Sequence, residues 1–138
     1  MNDLEAAYRN TDYWVDDAPG EPFAIRIDEI NLELDLVLTE LGEFNWAYIT
    51  ACNPESMRLS DEENSKRMRQ LETIVDERGL RCFHGRGQGR DDDWQAEPSL
   101  LIIGESAIPV GIELARQFGQ KAIVVGQLSQ TARLVWID

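Results

Sequence analysis

Apolar positions along this chain repeat with two periods, and the switches between them mark out its elements. Two short aromatic or β-branched runs, Asp12 to Val15 and Phe23 to Ile27, flank "DDAPGEP", whose proline, glycine and charges signal a turn, so a hairpin is predicted there. The next segment, "INLELDLVLTELG", fits both periods. Ile30, Leu32, Leu34, Leu36 and Leu38 alternate as in a strand, while Leu34, Val37, Leu38 and Leu41 make a helix face. End signals decide for the helix: Asn31 is a cap, Glu33 and Asp35 suit the positive end of the helix dipole, and Gly42 supplies a left-handed stop. "WAYITA" reads as a central strand. Ser60 and Glu63 have capping-box spacing, which starts a second helix running through Val75 toward Arg78 and ended by Gly79. "RCFHG" is a further strand, "SLLIIG" a buried one, and "SAIPVGIELARQFG" a third helix with Pro109 tolerated in its first turn. "KAIVVG" and "ARLVWI" close the chain as strands. The predicted fold class is α/β: one domain over residues 1–138, with a mixed sheet of about five to seven strands and about three helices packed on it.

Composition narrows this picture without changing it. The length, 138 residues, suits one core that needs no disulfide or metal, and a 43% hydrophobic, 28% charged composition is that of a globular chain. No apolar run approaches the roughly 18 residues of a membrane span, and "MNDLEAAYRN" lacks the basic start and apolar centre of a signal peptide. A soluble, cytoplasmic protein with no membrane partner is the expectation. Cys52 and Cys82 are far apart and beside strand-like residues, so both read as small buried thiols. The formal net charge of −13 repels a nucleic-acid backbone, and no nucleic-acid partner is expected.

Candidate chemistry starts where the central strand ends, in "ITACNPES". With Ser60 as cap, Asn64 takes the fourth helical position, where an apolar residue would staple back onto Leu59. Asn64, Met68, Leu71 and Val75 share one face, so the amide stands at the head of a buried stripe. A buried amide without partners costs on the order of 1–3 kcal/mol, so Asn64 needs some. The nearest are the loop from Asn53 to Ser56 and the side chains of Thr50, Asn53 and Ser56. A loop at a strand's carboxyl end that leads into a helix offers oriented N–H groups and short polar side chains, an arrangement suited to a small polar or anionic ligand. The same amides also suit a purely architectural role, satisfying the loop's own backbone.

"HGRGQGRDDDWQAEPS" reads as a glycine loop in which Gly85, Gly87 and Gly89 permit close backbone approach and Arg86 and Arg90 form a positive island. It matches neither the Walker pattern nor the dinucleotide fingerprint. Trp94 is a candidate stacking surface, or else a core lid. Glu97, against apolar walls, is a candidate proton carrier, or else a partner for Arg86 or Arg90. His84, the single histidine, is the second candidate proton carrier, or else a strand-edge side chain. Asp91, Asp92 and Asp93 lack the spaced ligand set that a metal needs, so no metal site is assigned. Ser99 and Ser106 lack a nucleophile elbow and Cys52 lacks a histidine partner. Gln120, after the Gly119 stop, is either a turn residue or a pocket amide, and the turn is favoured.

Taken together, "YRNTDY", "FAIRI", "WAYITACNPES", "LSDEEN", "GRGQGRDDDWQAEPSLLIIG" and "FGQKAIVVG" resemble, in order and across nearly the whole chain, a bacterial family catalogued as domain of unknown function 3293. The loop-to-helix block with Asn53, Pro54, Ser56 and Asn64 carries most of the likeness, followed by Trp94, Glu97 and Ser99. The resemblance implies a bacterial origin and an intact single-domain member; it implies no activity, substrate or cofactor.

Two functions stay open. One is a binding protein or enzyme for a small anionic metabolite or nucleotide, held by Thr50, Asn53, Ser56 and Asn64, with Arg86 supplying charge and Trp94 stacking. The other is a non-enzymatic interaction module whose acidic surface meets a basic protein, the polar loop serving only the strand-helix junction. The sequence assigns no cofactor under either.

Overall fold

The computed structural model describes residues 3–90 and 95–138. The chain runs α1 (Asp3–Arg9), β1 (Thr11–Val15), β2 (Phe23–Ile25), α2 (Leu32–Leu41), β3 (Asn45–Ile49), a single turn of 3-10 helix (Pro54–Ser56), α3 (Asp61–Glu77), β4 (Arg81–Gly89), β5 (Glu97–Ile103), α4 (Ala107–Gln117), β6 (Ala122–Gln127) and β7 (Arg133–Trp136). The seven strands form one sheet in the order β2-β1-β4-β5-β3-β6-β7, within the expected range. Its ladders are antiparallel. The parallel contact is a bridge from Ile27, just past β2, to Ala132, just before β7. Around it Asp28 N–H donates to the Ala132 carbonyl at 2.7 Å and Ala132 N–H to the Glu29 carbonyl at 3.1 Å. The two edges of the sheet therefore meet, and the sheet curls into a nearly closed shape.

Strand alternation divides the core in two. Tyr13, Val15, Phe23, Ile25, Trp46, Tyr48, Leu101, Ile103 and Val124 fill the inside of the curl, covered by Leu34, Val37 and Leu38 of α2. Ala47, Ile49, Leu100, Ile102, Ile123 and Val125 face outward and are buried under Met68, Leu71 and Val75 of α3 and Leu114 and Ala115 of α4. At Gly111 of α4 an added Cβ would lie 2.8 Å from the Ala47 Cβ, so this helix sits closer to the sheet than any other residue type permits.

The three predicted helices form between their predicted signals. Asn31 Oδ1 accepts the Leu34 N–H at 2.9 Å, and Gly42 ends α2 at φ 70°. Ser60 Oγ accepts the Glu63 N–H at 3.1 Å, completing the capping box. Helix α1 was not expected, because seven residues are too few to hold a helix by themselves. Side chains of β1 hold it: Thr11 Oγ1 donates to the Ala7 carbonyl and Tyr13 Oη to the Tyr8 carbonyl, each at 2.7 Å.

The glycine segment departs from the reading as a loop. Gly85, Gly87 and Gly89 belong to β4, with ladder partners on both sides: Val15, Tyr13 and Thr11 of β1, and Ser99 and Glu97 of β5 opposite Gly85 and Gly87. Glycine weakens a strand's own preference, but two flanking strands impose the ladder. Among the described residues no helix is long and apolar enough to cross a membrane.

Candidate functional site

Antiparallel pairing brings the carboxyl ends of β3 and β4 to the same end of the sheet as the amino ends of β1, β5 and β6. The polar loop forms there. Thr50 Oγ1 donates to the Pro98 carbonyl at 2.7 Å and accepts the Cys52 N–H at 3.1 Å. Asn53 is the hub. Its N–H donates to Asn64 Oδ1, and its Oδ1 accepts from Asn64 Nδ2 and from the Leu59 N–H, all at 2.9 Å. Its Nδ2 donates to Glu97 Oε2 at 2.5 Å. The amide at Asn64 that breaks the staple pattern is thus one half of a reciprocal amide pair.

The loop's backbone is unusual. Asn53, Glu55 and Ser56 have φ of 49°, 55° and 60°, a left-handed conformation that asparagine tolerates and the other two seldom adopt. Neighbours hold it: Glu55 N–H donates to the Gly119 carbonyl at 2.7 Å and Gln120 Nε2 to the Cys52 carbonyl at 2.9 Å. Arg67 of α3 adds bonds to the Ala51 carbonyl, at 2.6 Å, and to the Phe118 carbonyl, with its guanidinium over the Phe118 ring.

Beside this loop the end of the sheet opens into a cleft of about 650 Å³. Helix α1 forms one side. Tyr8, Tyr13 and Tyr48 line it with Thr50, Asn53 and Ser99, and Ser56 stands at its exposed rim. The glycines of β4 make the room. Gly87 faces the cleft opposite Glu97, and a Cβ there would meet only Thr11 and Tyr13 carbons at 3.8 and 3.9 Å. Gly85 is different: its Cβ would come 1.8 Å from the Trp14 carbonyl oxygen, to which Tyr48 Oη donates at 2.6 Å. A second, smaller cavity of about 380 Å³ lies between the polar loop and the start of β5, shared by Asn53, Asn64 and Glu97 with Arg58 and Asp61.

Glu97, at the first position of β5, is the half-buried carboxyl of the cleft. Burial raises its pKa above the ordinary value, and the Asn53 hydrogen bond partly opposes that. Burial likewise lifts the phenols of Tyr13 and Tyr48 far above their usual range and that of Tyr8 to about 12. It also lifts the Cys52 thiol to about 11, so the buried cysteine stays protonated and is no nucleophile near neutrality.

The structure therefore brings Thr50, Asn53, Ser56 and Glu97 to one cleft and sets Asn64 directly behind Asn53. Two other predicted residues stand apart on the opposite side of β4. Arg86 pairs with Asp16 and lies over the Trp14 ring at 5.2 Å. Arg90 pairs with Asp12 at 2.9 Å. Glu97 is thus held by Asn53, and neither arginine serves as its partner. His84 is exposed, with Nδ1 2.7 Å from Asp17 Oδ2 and Nε2 against Glu72 of α3, carboxylates that raise its pKa. Trp94, with Asp91, Asp92 and Asp93, lies outside the described residues. Gln120, by sequence a turn residue in preference to a pocket amide, lines the cleft and secures the loop.

Tyr8, Tyr13 and Tyr48 were missed, and Gly87 was read as part of a loop, not as the bare face of a strand. One signal was available: in "HGRGQGR" glycine alternates with polar residues at the period of a strand, which gives that strand one bare face. Fold and site define an α/β protein with a curled antiparallel sheet and a tyrosine-lined cleft at one end. A family model described as a protein of unknown function (DUF3293) matches residues 49–123, and the chain belongs to this family. The match includes Thr50, Asn53, Asn64, Gly87 and Glu97, whereas the three tyrosines precede it. No curated protein and no solved structure matches the chain.

Proposed function

We propose that the chain binds a small molecule in the cleft at the end of its sheet, with Glu97 and Asn53 as polar anchor and Tyr8, Tyr13 and Tyr48 as walls. One observation carries this reading: a carboxyl raised by burial opens onto a cleft whose floor the glycines of β4 leave bare. The volume falls within the range of about 300–1,000 Å³ usual for ligand pockets, and a perturbed acid among apolar walls is a common mark of a site. Should the site run a reaction, Glu97 is the proton carrier and Asn53 fixes its orientation. Arg86, expected to supply charge to an anion, is engaged with Asp16, so the reading rests on the cleft's own groups.

The test is a thermal-shift screen of nucleotides, sugar phosphates, carboxylates and amines against wild type and Gly87→Leu, a substitution that fills the floor. A ligand at about a hundredfold excess over its dissociation constant stabilises the native state by roughly 2.7 kcal/mol. The expected result is a compound that raises the wild-type midpoint and leaves Gly87→Leu unmoved. A compound that raises both equally sits elsewhere and removes the cleft from consideration.

A second reading, an interaction module, is favoured by the outer side of α2. Leu32 and Leu36 of α2 are 71% and 64% exposed and Ile30 and Phe44, just before and after it, 52% and 63%, with Glu29, Glu33, Glu40 and Glu43 interspersed in the sequence. A basic, amphipathic peptide whose binding is lost in Leu32→Asp would support it.

A further inference from the structure

If the cleft is a ligand site, its hydrogen-bonding character decides what it takes. A hydroxyl carries one proton and two lone pairs. Of the seven hydroxyl side chains lining the cleft, all but Tyr8 and Ser56 give their proton to a main-chain carbonyl: Thr11 to Ala7, Tyr13 to Tyr8 and Thr50 to Pro98 at 2.7 Å, Tyr48 to Trp14 at 2.6 Å, and Ser99 to Glu97 at 2.9 Å. What each still offers a ligand is a lone pair. The amides are partly spent in the same way, one N–H of Asn53 Nδ2 on Glu97 and one of Gln120 Nε2 on the Cys52 carbonyl. Glu97 adds a carboxyl, and among the described residues lining the cleft there is no lysine, arginine or histidine. Such a wall offers more acceptors than donors.

We infer that the cleft is selective for small amines: the ammonium group of the ligand donates to Glu97 and to the spare lone pairs of the wall hydroxyls, and its apolar body lies among Tyr8, Tyr13 and Tyr48. This rests on the cleft being the binding site proposed above. The charges agree. An ammonium replaces the hydration lost by a buried carboxylate with a charge-assisted bond, and aromatic rings attract cations. A carboxylate or phosphate ligand would instead face Glu97 and several lone pairs, with no cation among the described lining residues to offset them. The overall charge of −13 favours the approach of cations over anions as well.

The experiment compares matched trios in which one body carries an ammonium, a hydroxyl or a carboxylate. The trios are phenylethylamine, phenylethanol and phenylacetate; tryptamine, tryptophol and indole-3-acetate; and butylamine, butanol and butyrate. Each is titrated into nitrogen-15-labelled wild type at neutral pH while the amide signals of Asn53, Gly87 and Ser99 are followed. The expected outcome is that an amine saturates these signals at a concentration about tenfold or more below its carboxylate, that Glu97→Gln removes the margin, and that Gly87→Leu abolishes the response. A carboxylate or alcohol that binds as tightly as its amine overturns the selectivity while leaving the cleft as a site. A margin that survives Glu97→Gln overturns the role of Glu97. If no compound moves the cleft signals, or if the shifts persist unchanged in Gly87→Leu, the underlying reading fails instead. The comparison within wild type decides selectivity even where a variant does not fold.

Discussion

Glu97 gives the clearest case of a single side chain whose environment can be read out in solution. Its folded-state pKa is raised, so the native state holds this proton more tightly than the unfolded chain does. The stability it contributes is fully present below its ordinary value of 4.5 and is lost as pH rises through the folded value. Glu97→Gln keeps an oxygen to accept from Asn53 Nδ2 but cannot ionise. The variant should therefore gain stability relative to wild type as pH climbs from about 4.5 toward neutrality, with the difference levelling off once the wild-type carboxyl is fully charged. Paired urea denaturation curves across that range measure it; a difference independent of pH would show that the carboxyl is not desolvated. Subtracting one protein from the other cancels the surface group His84, whose pKa is also raised. Asn53 belongs to the same scale. Asn53→Ala removes the donor to Glu97 and leaves Asn64 Nδ2 and the Leu59 N–H without their acceptor, with an expected loss of about 1–3 kcal/mol in the same assay.

At the scale of elements, β4 separates glycines that look alike in sequence. Gly85→Ala would drive a methyl group to 1.8 Å from the Trp14 carbonyl oxygen and 2.8 Å from Tyr48 Oη, whereas Gly87→Ala meets nothing nearer than 3.8 Å. The first should cost about 1–3 kcal/mol or more, as overpacking does, and the second should be nearly neutral by thermal denaturation. Equal losses would place β4 differently in the sheet. The same strand shows where sequence reading stopped. Helices α2 and α3 carry their own end signals, Asn31 with Gly42 and Ser60 with Glu63, so both were legible before any fold was known. In β4 the glycines speak locally for a loop, and only strands distant in sequence make them a ladder. The site was half legible for the same reason. Asn53, Asn64 and Thr50 lie within fifteen residues of one another and could be grouped by spacing. Tyr13, Tyr48, Gly87 and Glu97 meet through strand order, which no local pattern records.

For the molecule as a whole, charge and closure are the governing features. With 26 acidic against 13 basic side chains, the compact state carries self-repulsion that salt relieves. Raising ionic strength from 0.01 to 1 M shortens the screening length from about 30 to about 3 Å, so the melting midpoint should rise with sodium chloride. A midpoint that falls would mean that pairs such as Arg9 with Asp28 and Arg90 with Asp12 outweigh the repulsion. The meeting of Ile27 with Ala132 bears on something else, the behaviour of the protein at high concentration. Open sheets fibrillise or exchange strands by presenting a free row of backbone donors and acceptors to another chain. Here the outermost strands are three and four residues long and their flanks are tied to each other. The fold thus leaves little template for a neighbouring chain to copy, and crowding should leave this protein monodisperse for as long as that seam stays shut.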